Sequence, residues 1–362
     1  KVVILRSAVS MRLDSREPWS WDLGRGELQS MHYDNVYATE RELLKGLVDA
    51  YPVLLDSGTE FMDANVVAAI RRYVDGGGTF VALHNTGRHG TLEPDAWPIS
   101  QLTGFNVVGR GKHGRITFRG NDQDLFTTWG GRQFEGEGLA LDWMGSDSAR
   151  DAGLGLAAGA DGTSVLATWD DNTVAVGCRR IGKGRVIVLG STFWRHGKDS
   201  AGVWKSAGDL KLGFVERLLT DLGVQRDAMA GSATVWARKF VTKNGLQDWL
   251  LAFNNNDEDV TTNVSIRSDS APDEVIDLLA RQPVPFEAGP DGWITIKGVV
   301  FAGQSIKAYG LKKHGFADAL TVWWGEKRKY WQRHVGHEVD LENVGFPDSN
   351  PQVLSFDAWA FA

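Results

Sequence analysis

The chain has 362 residues, a net charge of −7 and a single cysteine. This length allows two domains, and a single cysteine excludes an internal disulfide. Its lysines and arginines are scattered, so we expect no nucleic-acid partner, and its longest apolar runs are only strand-length, so we expect no membrane-spanning helix. Fifteen tryptophans stand out, and their flat apolar rings suit stacking on sugars as well as packing in cores and interfaces.

Strand and helix patterns alternate in the first part of the chain. The predicted elements are a strand at 2–5, a helix after the capping box 39–42, a strand at 52–55, a helix with apolar residues from 66 to 74, a strand at 79–83, a strand-rich stretch at 98–180, a strand at 185–189 and a helix at 209–222. The strands at 52–55 and 79–83 are unbroken apolar runs, as expected in the centre of a parallel sheet. Together with the helix between them they predict an α/β fold with a doubly wound parallel sheet over residues 1–228.

The rest of the chain has a different character. Residues 233–312 show short alternating runs and no long helical pattern, which predicts a small antiparallel β-sandwich. Residues 313–362 combine an aromatic helical stretch, a polar linker and a strand that would open a further β domain. Because the chain also begins inside an apolar run, without a methionine, we expect it to be cut from a longer protein.

Three stretches resemble a known family. The run AIRRYVDGGGTFVALHNTG within 51–87, the run GKGRVIVLG at 182–190 and the run FVERLLTDLGV at 214–224 resemble the class I glutamine-amidotransferase-like domain. The version they resemble is the trimerisation domain of family-42 β-galactosidases and related large multidomain glycoside hydrolases. This resemblance implies a flavodoxin-like, amidotransferase-like α/β fold followed by a small β-domain. In those hydrolases the two catalytic carboxylates lie on a TIM barrel, which does not fit into this chain.

The resemblance also argues against catalysis by this chain. In the amidotransferase-like fold the nucleophilic cysteine follows the strand that is here 79–83, but His84-Asn85-Thr86 stand at that place. Cys178 falls inside a predicted strand, where a thiol lacks exposure and a neighbouring base. Glu135 and Glu137 are two nearby carboxylates of the kind that glycoside hydrolysis needs, but their glycine-rich surroundings favour solvated loop residues. We therefore predict no catalytic residue.

No metal or cofactor is predicted. The pairs His84/His89 and His334/His337 lack the third and fourth ligands of a metal site. The glycine turns at 76–78 and 182–184 neither follow the phosphate-binding pattern nor begin a helix.

Sugar binding is the predicted use of two groups of side chains. Loops at the carboxyl ends of parallel strands converge at the switch point of a doubly wound sheet, so residues after 79–83 and after 185–189 are expected to face one another. Two tryptophans next to Pro18 are expected on one side of an exposed loop. The substrate-binding candidates are Trp19, Trp21, His84, Asn85, Arg88, His89, Trp194 and His196.

These observations predict an accessory, non-catalytic portion of a large glycoside hydrolase similar to a β-galactosidase, which serves oligomerisation and shapes an active site in another domain. Its expected partners are a carbohydrate substrate, the remaining domains of the parent hydrolase and further copies of itself, with no nucleic acid or membrane. Three alternatives stay open. They are a carbohydrate-binding module using exposed tryptophans, a sugar-metabolism enzyme of the amidotransferase-like fold with a pocket at His84, His89 and His196, and part of an α-L-rhamnosidase. The sequence indicates no cellular compartment.

Overall fold

A computed structural model of the chain describes residues 1–13, 28–90, 92–94, 96–143, 162–191, 193, 197–198, 204–205, 208–241 and 247–313. The chain divides into two compact units, with the boundary between Gln225 and Arg226. Among the helices within these ranges, none is both long and apolar enough to cross a membrane.

The first unit is built around one large sheet. Its strands are β1 Val2–Leu5, β2 Asn35–Ala38, β3 Val53–Asp56, β4 Thr79–Ala82, β5 Phe105–Phe118, β6 Gln133–Trp143, β7 Thr163–Trp169, β8 Val174–Ile181 and β9 Gly184–Leu189, with a separate pair β10 Gly197–Lys198 and β11 Trp204–Lys205. Its helices are α1 Ala8–Leu13, α2 Leu28–Ser30, α3 Glu40–Leu44, α4 Ala64–Asp75, α5 Ser100–Thr103 and α6 Gly208–Asp221.

The topology of this sheet overturns the predicted fold class. Its nine strands have the order β2-β1-β3-β4-β9-β8-β6-β5-β7, and β8 also pairs with β7. Strands β2, β1, β3, β4 and β9 run parallel, whereas β5 to β8 pair antiparallel with their neighbours. The prediction of a flavodoxin-like, doubly wound α/β fold is therefore wrong. The physical reason is that connections as short as 170–173 between β7 and β8 and 182–183 between β8 and β9 can join antiparallel neighbours but are too short for the crossovers that parallel neighbours need.

The strand–helix–strand unit around α4 is confirmed. Strands β3 and β4 are parallel neighbours, and α4 between them buries Val66, Ile70 and Val74 in a core on one face of the sheet. The predicted capping box is also present, since the Thr39 N–H donates to the Glu42 carboxylate over 2.8 Å at the start of α3.

A second core on the opposite face is dominated by aromatic rings. Phe193 stacks on Phe214 of α6 with 4.2 Å between ring centroids, and Trp129 and Trp169 are buried in the same core. The cluster consists of Phe118, Phe126, Trp129, Phe134, Phe193 and Phe214. These two tryptophans therefore have a packing role.

The second unit is antiparallel. Its strands are β12 Ala228–Ala230, β13 Val235–Val241, β14 Gln247–Asn254, β15 Val260–Arg267, β16 Pro272–Asp277, β17 Gln282–Pro283, β18 Glu287–Ala288, β19 Trp293–Phe301 and β20 Ile306–Lys313, with a 3-10 helix at Pro290–Gly292. They form a four-stranded sheet, β12-β15-β19-β18, and a five-stranded sheet, β13-β14-β20-β16-β17. One core joins residues of both sheets, including Ile266 and Ile294 of the first and Leu250 and Leu311 of the second.

The two glycine turns noted in the sequence pack against each other. A Cβ atom on Gly184 would lie 2.2 Å from the carbonyl oxygen of Gly78 and 2.3 Å from that of Val74. The Arg185 N–H donates to the same Gly78 carbonyl over 3.3 Å. Glycine is therefore required at 184 because backbone from the end of α4 occupies the space of a side chain.

We predict that Gly184→Ala lowers the free energy of unfolding by about 2–4 kcal/mol, because the added methyl forces β9 away from α4. Chemical denaturation measures the change. Gly213→Ala in α6 is the matched control, since its Cβ would have only the Arg132 side chain nearby, at 3.7 Å. This control should be neutral or stabilise by up to about 1 kcal/mol. Equal effects of the two variants would contradict the packing argument.

Candidate functional site

The carboxyl ends of β3 and β4 are joined through Asp56. This last residue of β3 has no exposed surface, and its carboxylate accepts hydrogen bonds from the Thr59 N–H over 2.9 Å, the Gly58 N–H over 3.0 Å and the Thr59 hydroxyl over 2.5 Å. The Thr86 hydroxyl donates to it from the loop after β4 and accepts from the Leu83 N–H over 2.7 Å. A single buried carboxylate thus fixes two neighbouring loops.

The environment of Asp56 shifts its protonation. Burial raises the pKa of this carboxyl group, while the hydrogen bonds from Thr59, Thr86 and the Gly58 N–H act in the opposite direction. Removing a carboxylate from water disfavours its charged form. The folded chain therefore holds a proton on Asp56 more readily than the unfolded chain does.

Glu40 makes a similar link between the ends of β1 and β2. Its carboxylate accepts a hydrogen bond from the Ala8 N–H over 3.0 Å and another from the Ser7 hydroxyl. Ser7 in turn accepts from the Ser10 N–H over 2.9 Å, and the Ser10 hydroxyl accepts from the Phe61 N–H over 3.2 Å. The carboxylate of Glu40 therefore accepts a hydrogen bond from a backbone N–H in the first turn of α1, which has no partner within the helix.

The loops after β3 and β4 also run side by side. The Asn85 amide donates to the Glu60 carboxylate over 3.0 Å. The His89 N–H donates to the Glu60 carbonyl over 2.8 Å, and the Met62 N–H donates to the His89 carbonyl over 2.9 Å. The rings of Phe61 and His89 lie 4.9 Å apart. This pairing holds the two loops in one rigid strip.

Four of the predicted binding residues lie in this strip. His84, Asn85, Arg88 and His89 are partly buried and follow β4, as expected. Trp194 and His196, and likewise Trp19 and Trp21, lie outside the described residues, so the convergence of these groups stays a prediction.

Sequence reasoning overlooked the acidic residues that order these loops. Asp56 ends an apolar strand and is followed by Ser57-Gly58-Thr59, and an aspartate in that position commonly accepts hydrogen bonds from the backbone two or three residues later. That local signal was present. The link from Glu40 to Ser7 depends on the pairing of β1 with β2, which no local pattern reveals.

The carboxyl end of β9 is covered by the hairpin of β5 and β6. A Cβ atom on Gly138 would lie 1.9 Å from the Gly190 carbonyl oxygen, and Gly138 forms a bridge with Ser191. Two register shifts in β5, next to Val107 and Arg110, bend the hairpin. Its ends enter different cores, with Phe105 on one face of the sheet and Ile116 on the other. The hairpin therefore occupies space that is open in a doubly wound sheet.

The other candidate reactive groups are placed as structural residues. Cys178 is confirmed as buried in a strand, and burial raises its pKa to about 12, which leaves almost no thiolate at neutral pH. Glu135 is exposed on β6 and pairs with Arg115 over 3.7 Å. Its exposure and this ion pair make Glu135 a surface residue of the hairpin. Within the described ranges, no three histidine, cysteine or acidic side chains converge to hold a metal ion.

A cleft of about 360 Å³ lies at the opposite, amino end of β3 and β4, lined by residues that include Tyr51, Arg72, Tyr73 and the glycine turn 76–78. The Tyr73 hydroxyl donates to the Tyr51 carbonyl over 2.9 Å, which fastens α4 to the segment before β3. Of the predicted site residues that the structure describes, His84, Asn85, Arg88 and His89, none lines this cleft.

No protein-family model and no curated protein matches the chain, whereas solved structures do. A GH42 β-galactosidase from G. stearothermophilus, solved as a catalytic mutant, matches 86% of this chain and 40% of its own, with 12% identity and a TM-score of 0.58. The β-galactosidase from Bacillus circulans sp. alkalophilus matches 86% and 41%, with 15% identity and a TM-score of 0.54. The α-L-fucosidase isoenzyme 2 from Paenibacillus thiaminolyticus matches 86% and 48%, with 11% identity and a TM-score of 0.54.

The likeness is one of fold. This chain spans less than half the length of each of these enzymes. At identities of 11% to 15%, these matches show that the chain shares an architecture with part of GH42 β-galactosidases and related glycoside hydrolases. The resemblance to such hydrolases that the sequence suggested is confirmed in this form.

We predict that Asp56→Ala lowers the free energy of unfolding by about 2–4 kcal/mol, because four buried donors lose their acceptor. Asp56→Asn is the matched control, since its amide keeps the shape and an acceptor oxygen, and it should cost less. Urea denaturation measures both. If the alanine variant were no less stable than the asparagine variant, these hydrogen bonds would not stabilise the fold.

A second prediction concerns pH. Because the folded pKa of Asp56 is raised, the stability contributed by its carboxyl group is present below the unfolded pKa of about 3.9 and is lost as pH rises through the folded pKa. The advantage of the unchanged chain over Asp56→Asn should therefore shrink from pH 4 to pH 8, by about 1.4 kcal/mol for each unit of pKa difference. Urea unfolding of both proteins across this range tests the sign. A growing advantage would mean that the hydrogen bonds outweigh burial.

Proposed function

We propose that this chain is an accessory, non-catalytic portion of a large glycoside hydrolase. Its role there is oligomerisation and the shaping of an active site that another domain supplies. The observation that carries the proposal is the structural match of 86% of the chain to 40% of a GH42 β-galactosidase, with a TM-score of 0.58. The remaining domains of the parent hydrolase would hold the carbohydrate substrate and the two carboxylates that break the glycosidic bond.

The acidic side chains at the carboxyl edge support the non-catalytic part of this proposal. Asp56, Glu40 and Glu60 each accept a hydrogen bond from a neighbouring segment, donated by the Thr86 hydroxyl, the Ala8 N–H and the Asn85 amide respectively. A glycosidase instead needs two carboxylates on either side of an open substrate site. The acids of this edge act as cross-links between loops.

Exposed apolar side chains support oligomerisation. Leu44, the last residue of α3, is 40% exposed. Leu47, just after α3, is 61% exposed. Neighbouring apolar side chains on a surface favour association with another protein surface, and a further copy of the chain is the proposed partner.

Light scattering on the purified chain, combined with assays on a panel of aryl glycosides, tests this proposal. We expect the mass of an oligomer and no turnover of any glycoside. Three copies would match the trimerisation role that the sequence resemblance implies. Leu47→Asp should shift the mass toward that of one chain, because a buried unpaired charge opposes association.

Leu92→Asp is the matched control, since Leu92 is a leucine that is 92% exposed and follows β4 in the chain rather than α3. It should leave the mass unchanged. A single-chain mass at high protein concentration would contradict the oligomerisation role. Glycoside turnover by this chain alone would contradict the non-catalytic role.

A further inference from the structure

The short run from Leu44 to Asp49, at the end of α3, combines exposed apolar side chains with two opposite charges. Leu44 and Leu47 are the exposed leucines of the proposed oligomer contact. Lys45 follows Leu44 and is exposed, and among the described residues no ion pair involves it. Asp49 is also exposed, and it lines the cleft of about 360 Å³ at the amino end of β3 and β4. A cation and a carboxylate therefore lie close together in the chain beside apolar surface.

The carboxylate of Asp49 has room for a further partner. Its ion pair with Arg72 spans 3.9 Å, which is longer than a hydrogen bond. The guanidinium of Arg72 instead donates a hydrogen bond to the Leu43 carbonyl over 2.8 Å. The side chains of Asp49 and Arg72 are 46% and 50% exposed, and an exposed ion pair of this kind contributes little. The oxygens of Asp49 are therefore available to another donor.

The cleft beside Asp49 favours a positively charged group. The glycine turn 76–78 at the carboxyl end of α4 forms part of its wall, and this end of a helix attracts cations. The charge of Asp49 acts inside the cleft, since burial and then this charge raise the pKa of the Tyr73 hydroxyl. Gly76 has an ordinary helical φ of −71°, and a Cβ there would meet the Tyr73 carbonyl oxygen at 3.4 Å. Neither conformation nor packing requires glycine at 76, so its missing side chain leaves room in the cleft.

A second copy of the chain is the occupant that these charges favour. Each copy carries a net charge of −7, so two copies repel each other at long range, and a contact between them needs locally opposite charges. Lys45 supplies a cation on a flexible four-carbon side chain, and the neighbouring leucines supply apolar surface whose burial favours association. The run 44–49 is therefore complementary to itself, because it carries both charges of the contact.

We propose that Lys45 of one copy enters this cleft in another copy, where its ammonium group binds the carboxylate of Asp49, while Leu44 and Leu47 pack between the two copies. The cleft is completed by a residue that the second copy contributes. This inference rests on the proposed oligomerisation and specifies the residues that hold the copies together.

Exchanging the two charges tests the proposal, with the dissociation constant of the oligomer measured by light scattering on dilution of the full chain. Lys45→Glu and Asp49→Lys each place like charges in the contact, so each should weaken association by about tenfold or more. The double variant Lys45→Glu/Asp49→Lys should recover most of the association, because only the signs of the charges are exchanged. An equimolar mixture of the two single variants should associate more tightly than either alone, since each supplies the charge that the other needs.

Arg281→Glu is the matched control, since Arg281 is an exposed cation of the second unit and its replacement changes the net charge by the same amount as Lys45→Glu. It should leave association unchanged. Circular dichroism identifies a charge-reversal variant that fails to fold. In that case Lys45→Gln and Asp49→Asn decide the question, because neutralising both partners of one ion pair should weaken association no more than neutralising one.

Two kinds of result would overturn the proposal. The first is a folded single variant that associates as tightly as the unchanged chain, and the second is a folded double variant that associates no more tightly than the single variants. An oligomer that depends on Leu47 but not on Lys45 or Asp49 would overturn this inference alone. A chain that stays single at high concentration would overturn the proposed oligomerisation together with it.

Discussion

The buried carboxylate of Asp56 is the interaction on which the carboxyl edge of the first unit's sheet depends. A carboxylate without solvent contact is costly unless donors surround it, and here the backbone of its own loop and the hydroxyls of Thr59 and Thr86 supply them. Because these donors belong to the loops after two different strands, satisfying one carboxylate fixes both loops. Glu40 makes a similar link between the ends of β1 and β2, and Glu60 adds a second link between the loops after β3 and β4. The edge is thus cross-linked by oxygens that are already engaged, which suits a scaffold better than an acid–base site.

The hairpin of β5 and β6 sets the second constraint. It reaches the end of β9 through backbone contact at Gly138, where no side chain fits, and it passes from one core of the sheet to the other. In a doubly wound sheet, ligands bind outside the carboxyl ends of the strands at the switch point. Here part of that space is filled by the chain's own backbone. Strand β9 is therefore both the strand at which pairing changes from parallel to antiparallel and the strand whose end the hairpin covers.

Local sequence patterns correctly predicted the elements that are determined by interactions between residues close together in the chain. The runs at 52–55 and 79–83 mark strands buried on both faces, and the capping box at Thr39 marks the start of a helix, because burial and capping act over a few residues. The fold class depends on which strands pair and in which direction, and the sequence of β5 carries no sign of either. The same limit hid the contact between the rings of Trp236 and Phe253 in the second unit. Trp236 and Phe253 become neighbours only through the register of β13 and β14.

Polar and apolar side chains differ in how far they remain available to other molecules. At the carboxyl edge of the first unit, the polar side chains of Ser7, Asp56 and Thr86 are buried and bonded within the chain. Large apolar groups protrude elsewhere on the surface of the two units, such as Leu47 in the first and Phe240 in the second. Apolar surface gains free energy when it is removed from water, whereas bonded polar groups gain little from exchanging partners. Burial of such exposed apolar groups is therefore the physical basis of the proposed association with a further copy of the chain.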